Sequence, residues 1–430
     1  LPDEILSLIF WNLNAGDLIS ISQVCHRWHR VSLDNLLWKK LYTKFVGAST
    51  KEKEDKVSLH ELAPGCWKNL CLRRCKAKRD QIYFKKWTLA DPYTGLKQRA
   101  DQTLSKLGVC FELSLINTEG QENTFPHCDI CWSTMSVGVQ WYALVVPDIK
   151  DIHCIRVRAC TPLMFYGPSK PAKDGILQKS KLLEYTGRIR DVLQKQTPLG
   201  SEPQIQLFEL APGLLIAKYQ ADGEIAFVTC TLHYHNLVSR CLLGNPNRIW
   251  SSPSLSCLND DIDPEYGLHG YTCIIIVRNM RTKFLECRFT ELHTSIEALA
   301  DGFAVFNPVK KDDKLSHVSL SKEINFSWRT TLFKGVLKDV GILDLTLLDQ
   351  NGEPFWIVST GISVERCTQT NQFDFNPSTY KLIQYSDNVG KLRLEIGKLD
   401  DRRQYLSDAS LSLSLNVINK AFKRNYQTRA

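Results

Sequence analysis

The 430 residues predict an α+β protein in two unequal parts. An N-terminal all-α unit with a helical linker precedes a mainly antiparallel β region, built as one or two β-sandwiches. Three observations carry this expectation. Two N-terminal stretches, 1–46 and 67–87, repeat apolar side chains at helical spacing. From Leu107 the apolar period falls to two, in short β-branched and aromatic runs bounded by Gly, Asn, Pro and Asp. Few of those runs are separated by a helical stretch, which disfavours parallel βαβ crossovers. A composition 43% hydrophobic and 23% charged excludes a mainly disordered chain, a collagen and a coiled-coil rod. No apolar run approaches the roughly 18 residues of a membrane-spanning helix.

The first helix opens at Leu1-Pro2-Asp3-Glu4-Ile5-Leu6. Proline is tolerated in a first turn, where its missing N–H has no partner anyway. Asp3 and Glu4 set negative charge at the positive end of the helix dipole. Ile5, Leu6, Ile9, Phe10 and Leu13 then recur at helical spacing. Asn14 and Asp17 mark a second start, followed by Leu18, Ile19 and Ile21. A third segment carries Val24, Trp28 and Val31, with Cys25 beside it, and a fourth carries Leu36, Leu37, Trp38, Leu41, Tyr42 and Phe45. Four short amphipathic helices in so short a stretch bury too little apolar surface to be stable alone. The expectation is a helical unit that completes its core on a partner protein, by burial of a helix face in a groove.

The run Leu-Pro-x-Glu-Ile-Leu, then Ile9-Phe10, Leu13, Asp17-Leu18, Val24-Cys25-x-Arg27-Trp28 and Leu37-Trp38-Lys39, resembles an F-box. Every landmark is in order across about 45 residues; His26 stands where many F-boxes carry a basic residue. The resemblance implies docking onto the Skp adaptor, and through it a cullin scaffold, in an SCF-type ubiquitin ligase. It also implies an adaptor-binding set: Leu1, Pro2, Ile5, Leu6, Ile9, Leu13, Leu18, Val24, Cys25, Trp28 and Trp38. Pro2 would set the entry of the chain, the Leu and Ile side chains would fill adaptor pockets, and Trp28 would be the aromatic anchor. The plainer alternative is that these residues pack only on one another; Trp28 and Leu41 are candidates for internal core in either case. The domain boundaries that follow are 1–46 for the F-box, 47–104 for a basic helical linker, and 105–244 for a first β region with one helical insertion. A loop over 245–266 then leads to a second β region with a C-terminal helix, 267–430.

Residues 1–100 carry 18 Lys/Arg and 10 Asp/Glu, so the whole net charge of +8 sits in the first quarter. Residues 47–57 read as a solvated loop. From Trp67 to Trp87 a helix alternates Trp67, Cys71, Cys75 and Ile82 with Lys68, Arg73, Arg74, Lys76, Lys78, Arg79, Lys85 and Lys86. A solvated face is the first reading, a rigid spacer the second. A nucleic-acid stripe with Trp67, Tyr83, Phe84 and Trp87 ranks last, because aromatics at helical spacing are more often core. Cys66, Cys71 and Cys75 lack a CxxC knuckle and a fourth ligand for zinc, and Cys71 and Cys75, one above the other on the apolar side of a helix, read as small hydrophobes. The 15 cysteines are odd in number and irregularly spaced, which points to a reducing compartment, cytoplasm or nucleus. Residue 1 is Leu rather than Met, so upstream residues are expected and a missing signal peptide carries little weight.

The expected strands are 109–117, 136–146, 154–160, 205–210, 214–219, 225–233, 271–278, 283–292, 328–337, 342–348, 355–361, 391–396 and 411–417. Thr118-Glu119-Gly120 and Asp349-Gln350-Asn351-Gly352-Glu353 read as hairpin turns. Leu182, Leu183, Ile189 and Leu193 suggest a helix over 177–194. Three prolines and no sustained period make 245–266 the boundary between β regions. A short echo of Gly108–Asn117 in Gly270–Asn279 hints at repetition but is too brief to establish it.

No phosphate loop, dinucleotide fingerprint, nucleophile elbow or HExxH helix appears. Cys128 and Cys131 form one CxxC, but His153 and Cys154, the nearest further ligands, would point to opposite faces of a strand. His233 and His235 would share one strand face, without the carboxylate and third histidine that a metal enzyme needs. Asp260-Asp261-Ile262-Asp263 lacks the register of a calcium loop. No catalytic residue, metal or cofactor is assigned, membrane association is not expected, and nucleic acid is a disfavoured partner. Three functions remain: a ligase substrate receptor for an unidentified protein, a carbohydrate-binding F-box protein using Trp132, Trp250 or Trp356, and a metal-dependent enzyme fused to a docking motif. A glycan array separates the second from the first, and elemental analysis the third.

Overall fold

The structure is a computed structural model describing residues 1–46, 63–72, 74, 91–96, 100–106, 108–144, 149–162, 165–166, 170–171, 179–189, 197–237, 268–369, 378–398, 403–422 and 426. Four helices open the chain: α1 (Asp3–Trp11), α2 (Ala15–Ile21), α3 (His26–Ser32) and α4 (Asn35–Val46). Their sequence signals act as expected. The Asn14 side chain accepts the Asp17 N–H at 2.9 Å and caps α2. Cys25 caps α3 with its sulfur, which accepts the Trp28 N–H at 3.4 Å.

Their core is larger than the four helices alone. Leu6, Phe10, Leu18, Ile19, Leu37, Trp38 and Leu41 close over Trp67, Cys71 and Leu72 from a helical stretch at 66–72. Trp67 stacks edge-on against Tyr42 at 5.3 Å. Asn35 ties the segments from both ends: its Nδ2 donates to the Ala63 carbonyl at 3.1 Å, and its Oδ1 accepts the Trp67 N–H at 3.2 Å. Trp67 is therefore core rather than a base-stacking platform. Lys68, expected on a solvated face, is only 5% exposed, with its ammonium over the Trp38 ring at 5.9 Å; burial lowers its pKa. The remainder of the expected basic helix, with Cys75, Tyr83, Phe84 and Trp87, lies outside the described residues apart from Arg74.

The strands are β1 (Cys110–Asn117), β2 (Glu122–Pro126), β3 (Asp129–Trp132), β4 (Ser136–Trp141), β5 (Ile152–Pro162), β6 (Phe165–Tyr166), β7 (Lys170–Pro171), β8 (Lys179–Arg188), β9 (Gly200–Ser201), β10 (Ile205–Ala211), β11 (Leu214–Tyr219) and β12 (Ile225–His233). They continue as β13 (Tyr271–Arg278), β14 (Lys283–Leu292), β15 (Leu299–Ala300), β16 (Phe303–Val309), β17 (Val318–Ser319), β18 (Asn325–Arg329), β19 (Lys334–Lys338), β20 (Val340–Leu348), β21 (Pro354–Gln369), β22 (Ser378–Ser386), β23 (Gly390–Lys398) and β24 (Gln404–Ser414). The described pairings are antiparallel. A four-stranded sheet runs β2-β1-β5-β8, a six-stranded sheet β3-β4-β12-β11-β10-β9, and a ten-stranded sheet β14-β13-β20-β21-β22-β23-β24-β16-β15 with β17 on β24. The hairpins β18–β19 and β6–β7 stand apart.

The six-stranded sheet is buried on both faces, and strand alternation explains how. Phe208, Leu214 and Ile216 face one core with Phe111, Leu113, Ile155 and Val157 of the four-stranded sheet. Their neighbours Leu207, Leu215 and Ala217 face a second core with Phe326, Trp328, Leu337, Val340 and Ile342. The two β stretches thus share a core across the 245–266 boundary, which itself lies outside the described residues. A third core lies over β13, β20 and β21 to β24, and Leu415, Ile418 and Phe422 of the helix Leu415–Phe422 pack into it.

Five expectations fail. The strand expected over 136–146 ends at Trp141, and 142–144 are not strand. The helix expected over 177–194 is a strand over Lys179–Arg188, since β5 has an open edge and ladder pairing overrides the local preference of Leu, Lys and Glu. The strand expected over 328–337 is a hairpin turning at Thr330–Phe333. No Gly, Asn or Pro marks the turn; the Thr330 hydroxyl oxygen accepts the N–H groups of Leu332 and Phe333 in their place. The strand expected over 411–417 ends at Ser414, so Val417 is helical. His233 ends β12, and Tyr234–Leu237 form a helical turn, so His235 is not on the strand.

Candidate functional site

Helix α1 has two apolar faces. Leu6 and Phe10 turn inward, and the Phe10 ring meets Trp28 edge-on at 5.7 Å. Ile5, Leu8 and Ile9, at the i, i+3, i+4 positions of the opposite side, are exposed, Leu8 by 64%. Six large apolar side chains in nine residues are more than one small core hides.

A polar clamp fixes the edge of this surface. The Asp3 carboxylate accepts Arg27 Nε at 2.8 Å and Arg30 at 3.0 Å, and Arg27 also donates to the Leu1 carbonyl at 2.6 Å. The Arg27 hydrogen bond is the main reason that the Asp3 pKa is lowered. The clamp holds α3 against the start of α1. Leu1 is 74% exposed and Val24 63%.

The eleven residues implied by the F-box resemblance therefore divide. Leu1, Pro2, Ile5, Ile9, Val24 and Cys25 are exposed, and Leu13 and Trp28 are half-buried. Leu6, Leu18 and Trp38 lie in the unit's own core, and the Trp38 indole N–H donates to the Ser32 carbonyl at 2.7 Å. Helical spacing alone cannot say which of two apolar faces meets the neighbouring helices. The same ambiguity hid Leu8, Trp11 and Leu36, which are exposed large apolar side chains. Trp11 carries Lys40 Nζ at 4.5 Å from its ring centre.

Among the described residues the other candidates assemble no reaction centre. Among the described residues no group of three or more His, Cys, Asp or Glu is placed to hold a metal ion. Cys131 lies in β3 of the six-stranded sheet with Cys128 just before that strand, whereas His153 and Cys154 belong to the four-stranded one. The His233 and His235 rings stack at 5.4 Å, each engaged elsewhere: His233 Nε2 with Thr346 Oγ1 at 2.8 Å, His235 Nε2 with the Thr94 carbonyl at 2.6 Å. Asp260, Asp261, Asp263 and Trp250 lie outside the described residues. Trp356 is core, with its N–H on Asp387 at 2.9 Å, so it is not an open sugar platform, whereas Trp132, half-buried, leans on Tyr234 and lines a cavity.

Comparison with known proteins bears on the same segment. Residues 1–44 match the family described as F-box-like. Over its whole length the chain is similar to proteins called F-box only protein 15. It is 28% identical to that of Macaca fascicularis over 445 residues, covering 99% of this chain and 100% of the relative. It is 29% identical to that of Homo sapiens (99% and 85% covered) and 27% identical to that of Bos taurus (99% and 93%). The helical unit with the exposed face of α1 is thus an F-box domain at residues 1–44, followed by an extensive antiparallel β region.

Proposed function

We propose that the chain is the substrate-recognition subunit of an SCF-type ubiquitin ligase, working in the cytoplasm or nucleus. The F-box docks the Skp adaptor, which joins it to a cullin scaffold, and the β region presents a protein substrate. The chain contributes no catalytic residue. Its mechanism is proximity: holding a substrate lysine near a charged conjugating enzyme raises its effective concentration. The observation that carries the reading is the second apolar face of α1, Ile5, Leu8 and Ile9, with Leu1 and Val24 also exposed. Exposed large apolar side chains gathered on one helix face mark an interaction surface. The test is capture of the Skp adaptor by the purified chain. An Ile5→Asp, Ile9→Asp variant is expected to lose capture while its melting temperature is unchanged. Capture at the parent level by that variant would overturn the proposal.

A further inference from the structure

We propose that the β region binds an extended, acidic segment of a partner protein as an added strand on the outer edge of β18. The proposal rests on the substrate-receptor reading and places its recognition site.

A cleft of about 520 Å³ lies between the β18–β19 hairpin and the Asn279–Thr282 turn joining β13 to β14. The hairpin is amphipathic: Phe326, Trp328 and Leu337 enter the core, while Ser327, Arg329, Lys334 and Val336 face outward. Its ladder register fixes where the main chain points. The Thr330 N–H donates to the Phe333 carbonyl at 2.7 Å, so that pair faces inward across the hairpin. Alternation along an antiparallel pair then turns the N–H and C=O groups of Arg329 and Ser327 away from β19. Both residues line the cleft. One step further along the same edge, the Asn325 carbonyl already accepts Asn279 Nδ2 at 3.2 Å. β18 pairs only with β19 among the described strands, so the edge at Ser327 and Arg329 is an open template.

The charge of the cleft selects its occupant. Its lining holds Arg281, Arg329 and Lys334 and no carboxylate. Arg329 is shared with Asp129 at the rim and lies over the Tyr142 ring at 5.2 Å; Arg281 and Lys334 have no described ion-pair partner. Half-exposed Val336 and the Met280 side chain add an apolar floor. An added strand alternates its side chains, so every second residue faces these cations. A segment alternating carboxylates with an aliphatic residue fits, whereas a basic segment meets like charge.

The experiment uses the full chain and a fluorescein-labelled six-residue peptide of alternating Val and Glu, read by fluorescence anisotropy. Two control peptides replace every Glu by Lys or N-methylate alternate amides. The acidic peptide is expected to bind saturably, and both controls at least tenfold more weakly. Arg281→Glu with Lys334→Glu is expected to weaken binding at least tenfold. Ser327→Pro, which removes an outward N–H without touching the β18–β19 ladder, is expected to weaken it at an unchanged melting temperature. No saturable binding, equal affinity for the acidic and lysine peptides, or indifference to these substitutions would overturn the proposal. Adaptor capture is read separately: its retention without peptide binding removes only the peptide site, and its loss removes only the ligase reading.

Discussion

Asp344 is the residue on which the junction between the β layers turns. It is buried and accepts Arg278 Nε at 2.6 Å, Ser136 at 2.6 Å and Ser359 at 2.7 Å. Burial works to raise its pKa, but the Arg278 charge and these hydrogen bonds together outweigh it and hold the carboxyl below its ordinary value of 3.8. Asp344→Ala strands a buried guanidinium and is expected to cost about 3–5 kcal/mol, read as a lowered urea midpoint. His233 acts in a second window. Its Nδ1 accepts the His235 N–H at 3.3 Å, which leaves Nε2 to donate to Thr346, so the network requires a neutral ring. Burial is the main cause that lowers its pKa from 6.5 to about 3, reinforced by His235. The unfolded chain therefore binds a proton that the fold refuses. Stability is full above pH 6.5 and falls by about 1.4 kcal/mol per pH unit below it, with His235, also lowered by burial, steepening the slope. Asp344 adds its own loss only as pH falls below 3.8. A urea midpoint equal at pH 7.5 and pH 5 would refute the histidine contribution.

At the scale of the element, α1 separates two kinds of apolar residue that the sequence presents as one. Trp38→Ala, or Leu6→Ala, removes core volume and is expected to destabilise the F-box unit by about 2–5 kcal/mol, seen in its thermal melt. Leu8→Ala, on the other face, is expected to weaken adaptor capture and leave the melt within about 0.5 kcal/mol. If Leu8→Ala melts like Leu6→Ala, the two-faced helix is wrong. The F-box landmarks were legible because capping and periodicity are local. Which side chains of α1 face outward was not, since α3, α4 and the stretch at 66–72 choose the inward face. The β18–β19 turn escaped for a related reason: Leu332 and Phe333 sit exposed at its tip, apolar residues where a turn usually carries Gly or Asn.

In the whole molecule the two β stretches are held together by the six-stranded sheet. Phe227 of β12 stacks on Phe326 and Trp328, and Gly213 donates its N–H to Thr360 Oγ1 at 3.2 Å, so residues before the 245–266 boundary need those after it. A fragment of residues 105–244 would expose one apolar face of the six-stranded sheet. It is expected to aggregate or lack a cooperative urea transition, while the full β region unfolds through one; a soluble, cooperatively unfolding fragment would count against the shared core.

Local signals made legible four short helices, the F-box landmarks, and twelve of the 24 described strands, with β11 through β14 read to the residue. Each depends on spacing along the chain, which neighbours in sequence suffice to set. Packing between distant elements set which apolar residues are core and which are surface, that 179–188 extends rather than coils, and that two β stretches close over common side chains. Those outcomes depend on what lies opposite each residue across tens or hundreds of positions, and periodicity carries no information about the element on the other side.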